Sequence, residues 1–368
     1  MKVAHLDTGR TWRGGQAQAL LLLRELRARG VSQQLLAPPG PLAERALSEG
    51  FEVERWSPKT ELDLFSMSHA RAILLRFRPD VVHCHSAHAH ATGVPAARWA
   101  GVPAVFVSRR VDFRVRTSLL SRVKYAMPVD RYLCISDGVR AAMLASGVPE
   151  AKLALVPSGV DLAEVRAAAA KSAPSLRELA GVPADAEIIG TVASLAPHKN
   201  HALLLDAARE VVTARPRAHF VWLGEGECRA ALERQRHALG LEARVHLLGF
   251  RDDARALMTQ FDVFALSSYL EGLCTSLLDA QVLGVPIVAT AVGGVPEVVS
   301  DERTGRLVRA LEPSAMARAL IGALADPARR SGWADAARVS VEAFGIARTA
   351  ERTLAVYGEV LRMRSTSA

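Results

Sequence analysis

The chain has 368 residues, 50% hydrophobic, 23% charged and 5% aromatic, which exceeds a usual single domain and supplies apolar material for two cores. The opening MKVAHLDTGR lacks the apolar run of a signal peptide, and no later stretch reaches the ~18 apolar residues of a membrane span, so a cytoplasmic location is expected. A formal charge of +8 favours anionic partners such as nucleotide phosphates or an acidic membrane surface, while few aromatics among dispersed arginines argue against nucleic acid; the widely spaced Cys84, Cys134, Cys228 and Cys274 suit neither a metal site nor a disulfide framework.

In chain order, an apolar run at Val3 to Leu6 predicts a strand, the amphipathic pattern from Ala17 to Ala28 a helix, and Gln34 to Leu36 a second strand. Runs at Asp80 to Cys84, Ala104 to Val107 and Arg131 to Ile135 continue the alternation and predict one parallel sheet for the first half. Between about Asp161 and Ala186 the charged, alanine-rich VRAAAAKSAPSLREL breaks the pattern. This predicts two domains, 1–165 and 166–368, with the last helix able to pack back on the first. Strands are predicted again at Ile188 to Val192, Phe220 to Leu223, Val245 to Leu248, Val263 to Leu266, Ile287 to Ala289 and Arg306 to Val308. The fold class is therefore α/β, two Rossmann-like doubly wound parallel-sheet domains expected to face each other across a cleft lined by strand-to-helix loops.

The first such loop, DTGRTWRGGQAQALLLL, sets Gly14 and Gly15 just before a helix, where small residues let amides approach a phosphate or sugar at the positive helix end. A flexible turn is the alternative, since the loop has neither the dinucleotide fingerprint nor the Walker lysine pattern. His83, His85, His88 and His90 cluster in DVVHCHSAHAHATG after a strand. No carboxylate joins them, and His83 and His85 share one face of an extended segment without completing a tetrahedral site, so they read as polar lining or acceptor contacts rather than zinc ligands. Lys199, in VASLAPHKNHALLLDA, follows a strand and precedes a helix, where an ammonium can meet a diphosphate leaving group.

The segment SSYLEGLCTSLLDAQVLGVPIVATAVGGVPEVV runs strand, loop, helix, strand, Gly-rich loop and Pro-started helix. Its Glu-Gly-Leu loop before a short helix, the second acid eight residues after the first, the Gly-Val-Pro and the Gly-Gly-Val-Pro-Glu resemble the donor site of the retaining family 4 glycosyltransferases, which have the GT-B fold. The resemblance covers nearly the whole chain. It includes LGEGE (Leu223 to Glu227), LLGFRDD (Leu247 to Asp253) and TGRLV (Thr304 to Val308), and in the first half the Gly14-Gly15 loop, HCHS, CISDGV (Cys134 to Val139) and VPSGVD (Val156 to Asp161).

The resemblance implies transfer of a sugar from a nucleotide-diphosphate sugar to a saccharide or lipid-linked acceptor, with retained anomeric configuration and neither a cofactor nor an obligatory metal. Glu271, Lys199 and His85 are the implied catalytic residues. Backbone amides of Gly272, Leu273, Cys274, Thr275 and Ser276 would take the diphosphate oxygens, with Gly14, Gly15, Ser194, Gly224, Gly226 and Phe250 completing the donor site. Asp279 would accept from the ribose hydroxyls, or else, with Ser276 three residues before it, imitate a capping box. Asp279 stands where the family usually has glutamate. Ser194 stands where a basic residue is common, which leaves more phosphate charge to Lys199 and the amides. Arg110, followed by Asp112, stands about where many members carry a histidine, so acceptor-side chemistry rests on Arg110, Asp112 or His85.

Two rivals remain: a non-catalytic sugar-nucleotide or nucleic-acid binding protein, and a sugar-nucleotide epimerase, which would need no acceptor. By analogy with the family the product enters envelope polysaccharide or lipopolysaccharide. The basic run Arg109, Arg110, Arg114, Arg116, Arg122 and Lys124 is expected to hold the chain at the inner face of the cytoplasmic membrane.

Overall fold

The computed structural model describes residues 1–112, 119–309 and 312–366. Arg114 and Arg116 lie outside the described residues. The chain divides into two compact units, Met1–Gly159 with Ile346–Ala368, and Val160–Gly345.

The first unit is built on seven parallel strands: β1 (Lys2–Leu6), β2 (Ser32–Ala37), β3 (Glu52–Arg55), β4 (Val81–Cys84), β5 (Ala104–Arg109), β6 (Arg131–Cys134) and β7 (Leu153–Leu155). Their spatial order is β3-β2-β1-β4-β5-β6-β7. Winding therefore reverses between β1 and β4, the place where open parallel sheets leave a crevice beyond the strands' carboxyl ends. The central strands are apolar on both faces, with Val3, Ala4, Leu6, Val81, Val82 and Phe106 all buried, as a sheet covered by helices on each side requires. The C-terminal helix Ile346–Ser365 packs on the helix Gly14–Ala28 and adds Ala350, Tyr357 and Val360 to this core. Where the chain leaves this unit, a Cβ on Gly159 would sit 2.7 Å from Ile346 Cα, so only glycine fits.

The second unit has six parallel strands: β8 (Glu187–Val192), β9 (Ala218–Leu223), β10 (Val245–Leu247), β11 (Val263–Leu266), β12 (Ile287–Thr290) and β13 (Arg306–Val308). Their order, β10-β9-β8-β11-β12-β13, reverses between β8 and β11. The segment read as a break is helical over Leu162–Ala169 and Leu176–Ala180. Asp161 caps the first of these by accepting from Glu164 N at 2.8 Å, and that helix packs against Ala254–Met258 and Thr275–Leu283. These contacts move the division from residue 165 to Gly159, and 346–368 lie with the first unit.

Candidate functional site

In the second unit β8 pairs directly with β11, so the loops leaving their carboxyl ends are neighbours. They bring together Lys199 and Glu271, 72 residues apart in sequence. Lys199 Nζ donates to Glu271 Oε1 and lies 3.9 Å from Cys274 Sγ, while Ser268 Oγ donates to the same carboxylate oxygen at 2.8 Å. The loops are also laced through the backbone. Tyr269 N donates to His198 O at 3.0 Å, and Ser267 Oγ reaches Lys199 O and Asn200 O at 3.1 and 3.0 Å. Gly294, in the Gly-rich loop after β12, donates to Glu271 O at 3.1 Å. Only 13% of the Lys199 side chain and 7% of that of Glu271 are exposed. Burial opposes the Lys199 charge, but Cys274 and Glu271 outweigh it and hold the ammonium pKa above its ordinary value. Burial pushes the Cys274 thiol up, with Lys199 opposing.

Gly272, Leu273 and Cys274 are buried and lead into the helix Thr275–Leu283, whose N-cap Cys274 makes no side-chain capping bond. The amides of Thr275 and Ser276, at the first two helical positions, have no intrahelical acceptor and present a positive end beside Lys199. The capping-box reading is corrected: Ser276 is inside the helix, its hydroxyl 3.2 Å from Cys274 Sγ, and Asp279 pairs with Arg255 Nε at 3.2 Å. Arg255 also donates to Glu164 Oε1 at 2.9 Å. Burial raises the Asp279 pKa, with Arg255 opposing.

Of the other expected donor residues, Ser194, Gly224, Gly226 and Phe250 lie on loops at this same edge of the sheet, whereas Gly14 and Gly15 belong to the first unit. Gly224 and Gly226 have a backbone reason to be glycine: Cβ atoms there would sit 1.9 Å from Ala193 O and 2.4 Å from Leu195 O, where the loops after β8 and β9 hydrogen-bond through Leu195 N and Glu225 O. Ser194 is exposed and its carbonyl accepts from Ala196 N at 2.8 Å. Phe250 is 59% exposed on the loop after β10.

In the first unit the loops after β1 and β4 adjoin. Gly14 and Gly15 do not precede the helix but form its first turn, after the N-cap Arg13. The histidine cluster gains a member from another strand, because β1 pairs with β4 and puts His5 opposite His83. His5 Nδ1 and His85 Nε2 are 2.9 Å apart; His83 meets Ser108 Oγ at 2.8 Å and Tyr357 OH at 2.6 Å. Ring nitrogens of His5, His83 and His85 lie within 4.8 Å of one another, so these three are the described residues best placed to hold a metal ion. Burial lowers the His5 pKa to about 4 and those of His83 and His85 well below 6.5, leaving neutral rings. Mutual and hydroxyl hydrogen bonds engage all three rings, with His5 Nε2 alone left without a partner among the described residues, which suits a polar core network.

His88 is exposed, whereas His90 is buried edge-on to Tyr125 and Tyr132. The nitrogens of His85 both face protein, Nε2 towards His5 and Nδ1 towards Arg110 Nη2 at 3.4 Å. Nδ1 of His85 thus meets Arg110, another residue expected on the acceptor side. Asp112, half-buried, follows two residues later. The sequence reading missed Ser268, which lies in the quoted SSYLEG, and His5 and Arg255, which only tertiary pairing brings to these clusters.

The family description "Glycosyltransferase Family 4" matches residues 12–164 and "Glycosyl transferases group 1" matches 174–340. The D-inositol 3-phosphate glycosyltransferase of Kineococcus radiotolerans is 32% identical over 337 residues, 81% of this chain and 76% of the relative. The UDP-Gal:alpha-D-GlcNAc-diphosphoundecaprenol alpha-1,3-galactosyltransferase of Escherichia coli is 28% identical over 272 residues, 70% of each chain. Among solved structures, Anabaena Alr3699/HepE in complex with UDP-glucose superposes with a TM-score of 0.83 at 20% identity over 100% of both chains. A glycosyltransferase from Rickettsia africae gives 0.84 at 16% identity over 98% of both.

Proposed function

This chain belongs to glycosyltransferase family 4, with the GT-B fold, and we propose that it transfers a sugar from a nucleoside-diphosphate sugar to a saccharide or lipid-linked acceptor with retention of anomeric configuration. The observation that carries this reading is the Lys199–Glu271 pair beside an uncapped helix N-terminus, two cationic elements where a departing diphosphate needs them. In the proposed step the bond from the anomeric carbon to the diphosphate oxygen breaks, and the acceptor oxygen bonds to that carbon from the same face. The acceptor proton passes to the departing phosphate. Lys199 and the amides of residues 272–276 stabilise the developing charge, Glu271 accepts from donor-sugar hydroxyls, and Asp279 accepts from the ribose. Arg110, oriented by His85, and Asp112 position the acceptor. No step needs a metal or a cofactor.

Names of relatives support a nucleotide-sugar donor and a lipid-linked acceptor. One is the galactosyltransferase already described, and another is the GDP-mannose-dependent monoacylated alpha-(1-6)-phosphatidylinositol monomannoside mannosyltransferase of Corynebacterium glutamicum, 29% identical over 309 residues. Envelope polysaccharide or lipopolysaccharide synthesis at the cytoplasmic face of the membrane fits them. No helix among the described residues is long and apolar enough to cross a membrane. The proposed association is peripheral, through basic residues together with Leu62, Leu64 and Phe65, which are 65, 66 and 91% exposed.

A panel of UDP-, GDP- and ADP-sugars tested for protection against thermal unfolding identifies the donor, because a ligand of the native state raises its stability. Release of nucleotide in the presence of acceptor and a chelator, with the product anomer read by NMR, then tests transfer. Protection by no nucleotide sugar, or an inverted product, overturns the proposal.

A further inference from the structure

Arg110 immediately follows β5, and its guanidinium is poorly matched by its surroundings. Its one hydrogen-bond contact among the described residues is the 3.4 Å approach of Nη2 to His85 Nδ1, and its buried Nε has no partner. No carboxylate among the described residues pairs with it within 4.0 Å. Asp7 acts on it from farther off, with Oδ1 occupied by Gly9 N at 2.6 Å and Gln16 Nε2 at 3.1 Å. Burial lowers the Arg110 pKa to about 10 against the pull of Asp7, so the group is charged at neutral pH. A guanidinium so placed is costly unless an anion meets it.

Beside Arg110 lies a cavity of about 180 Å³, also walled by Arg109, Lys124, Tyr125, His85 and His90. Arg109 donates to Tyr125 OH at 2.8 Å, and Lys124 pairs with Glu61. Burial keeps both histidines neutral, His90 with its pKa at about 3. A Cβ on Gly15 would be 3.7 Å from Arg110 Cδ, so the first turn of the helix Gly14–Ala28, with no side-chain cap, adjoins the same arginine. Three basic side chains thus line one cavity, Lys124 with its charge shared with Glu61, and a positive helix end adjoins Arg110. Whole-ligand pockets run to ~300–1,000 Å³, so this one suits a single compact group. A phosphate ester, with up to about two negative charges, matches it in charge and in its fit to an arginine fork.

We infer that the acceptor carries a phosphate ester and that this cavity, with Arg110 as its principal ligand and Arg109 and Lys124 beside it, holds that phosphate. The inference rests on the transferase reading above and specifies its acceptor.

Calorimetric titration of the full chain with inorganic phosphate and with glycerol 3-phosphate tests the site, in the parent, Arg110→Gln, Arg110→Lys and Lys199→Ala. The expected result is binding by the parent, a loss of about tenfold or more at the Arg110-dependent site in Arg110→Gln, partial recovery in Arg110→Lys, and that same site still present in Lys199→Ala, which removes only phosphate held by the second unit, since one charge-assisted hydrogen bond is at stake. Thermal melts show whether each variant folds, and if Arg110→Gln does not, Lys124→Gln must weaken binding instead. Phosphatidylcholine vesicles with and without phosphatidic acid separate the sources: stronger Arg110-dependent binding to doped vesicles than to glycerol 3-phosphate means a lipid phosphate, and the reverse a soluble ester. Equal binding by the parent and Arg110→Gln overturns the inference, as does phosphate binding that Lys199→Ala abolishes, which would belong to the second unit. Arg110-dependent phosphate binding in a chain that no nucleotide sugar protects overturns the transferase reading and leaves the anion site in place.

Discussion

Glu271→Ala tests the Lys199 pair as a piece of physical chemistry, apart from any activity. A carboxylate in a surface loop can usually be removed without loss of stability, but this one is only 7% exposed and its partner 13%. An exposed ion pair contributes less than ~1 kcal/mol, whereas stripping one member from a buried pair costs ~3–5 kcal/mol because the other charge is left desolvated and unpaired. Here the stranded ammonium would keep only Cys274 Sγ at 3.9 Å, a weak acceptor, and Ser268 Oγ would lose its acceptor as well. In a unit of this size each kcal/mol shifts the melting midpoint by ~2–4 °C, so a drop of about 6–20 °C is expected. Lys199→Ala should cost less, since Ser268 still donates to Glu271. The double variant strands no charge and should melt above Glu271→Ala, a non-additivity that reports the coupling. Differential scanning calorimetry of the three variants decides it. A Glu271→Ala midpoint within about 2 °C of the parent, or strict additivity in the double variant, would refute the desolvated pair.

Gly224→Ala, with its new methyl 1.9 Å from Ala193 O and φ at +154°, should lose at least ~1–3 kcal/mol in urea unfolding; an unchanged midpoint would mean the two loops are not in contact. Asp279→Asn should weaken a nucleoside diphosphate about tenfold and pyrophosphate little, by calorimetric titration, because its proposed partner is ribose; equal losses would confine Asp279 to its bond with Arg255. Burial depresses His5 to about 4 and His90 and His201 to about 3, against 6.5 in the unfolded chain, so the unfolded state takes up protons first. Stability present above pH 6.5 is then lost as the pH falls towards 4, by ~1.4 kcal/mol per unit for each histidine, and a melting midpoint unchanged between about pH 7 and 5 would contradict their burial. Leu64→Ser with Phe65→Ser should reduce co-sedimentation with anionic vesicles, and salt should reduce what remains; binding that is equal on neutral vesicles would reject the electrostatic part.

The strands that the sequence displays most clearly are those buried on both faces. Val263–Leu266, buried throughout, lies where its run predicts, and β1, β8 and β9 differ only at their ends; Arg306–Val308, a half-buried edge, also lies where predicted. The two strands missing from the reading are edges of the first sheet. β3, EVER, alternates charge with apolar residues and buries little, and β7, LAL, is three residues long. Neither produces a continuous apolar run, because an edge needs only one neighbour and one covered face. The supposed break after Asp161 failed for a different reason. Alanine and charged residues without a wide apolar face resemble a linker, but Leu162–Ala169 needs to bury only Val165 and a few half-covered alanines against neighbours from far along the chain.

The candidate site divides along the same line. Positions set by local geometry were readable: Lys199 after β8, Glu271 after β11, and the amides opening the helix Thr275–Leu283 all follow from a strand end meeting a helix start. Residues that act through tertiary pairing were not. Asp279 and Ser276 have the spacing of a capping box, yet Arg255, brought in from a helix more than 20 positions away, takes the carboxylate. His83 and His85 read locally as an incomplete ligand set, and the third imidazole, His5, comes from the neighbouring strand through a register that no local pattern encodes. Arg110 shows the reverse case. Sequence placed it near the acceptor by position alone, and only the structure reveals that, among the described residues, its guanidinium meets His85 Nδ1 while its buried Nε meets nothing. A guanidinium whose buried Nε has no partner among the described residues is therefore a more specific clue to an anionic ligand than position alone, because a desolvated donor is costly to leave unmet.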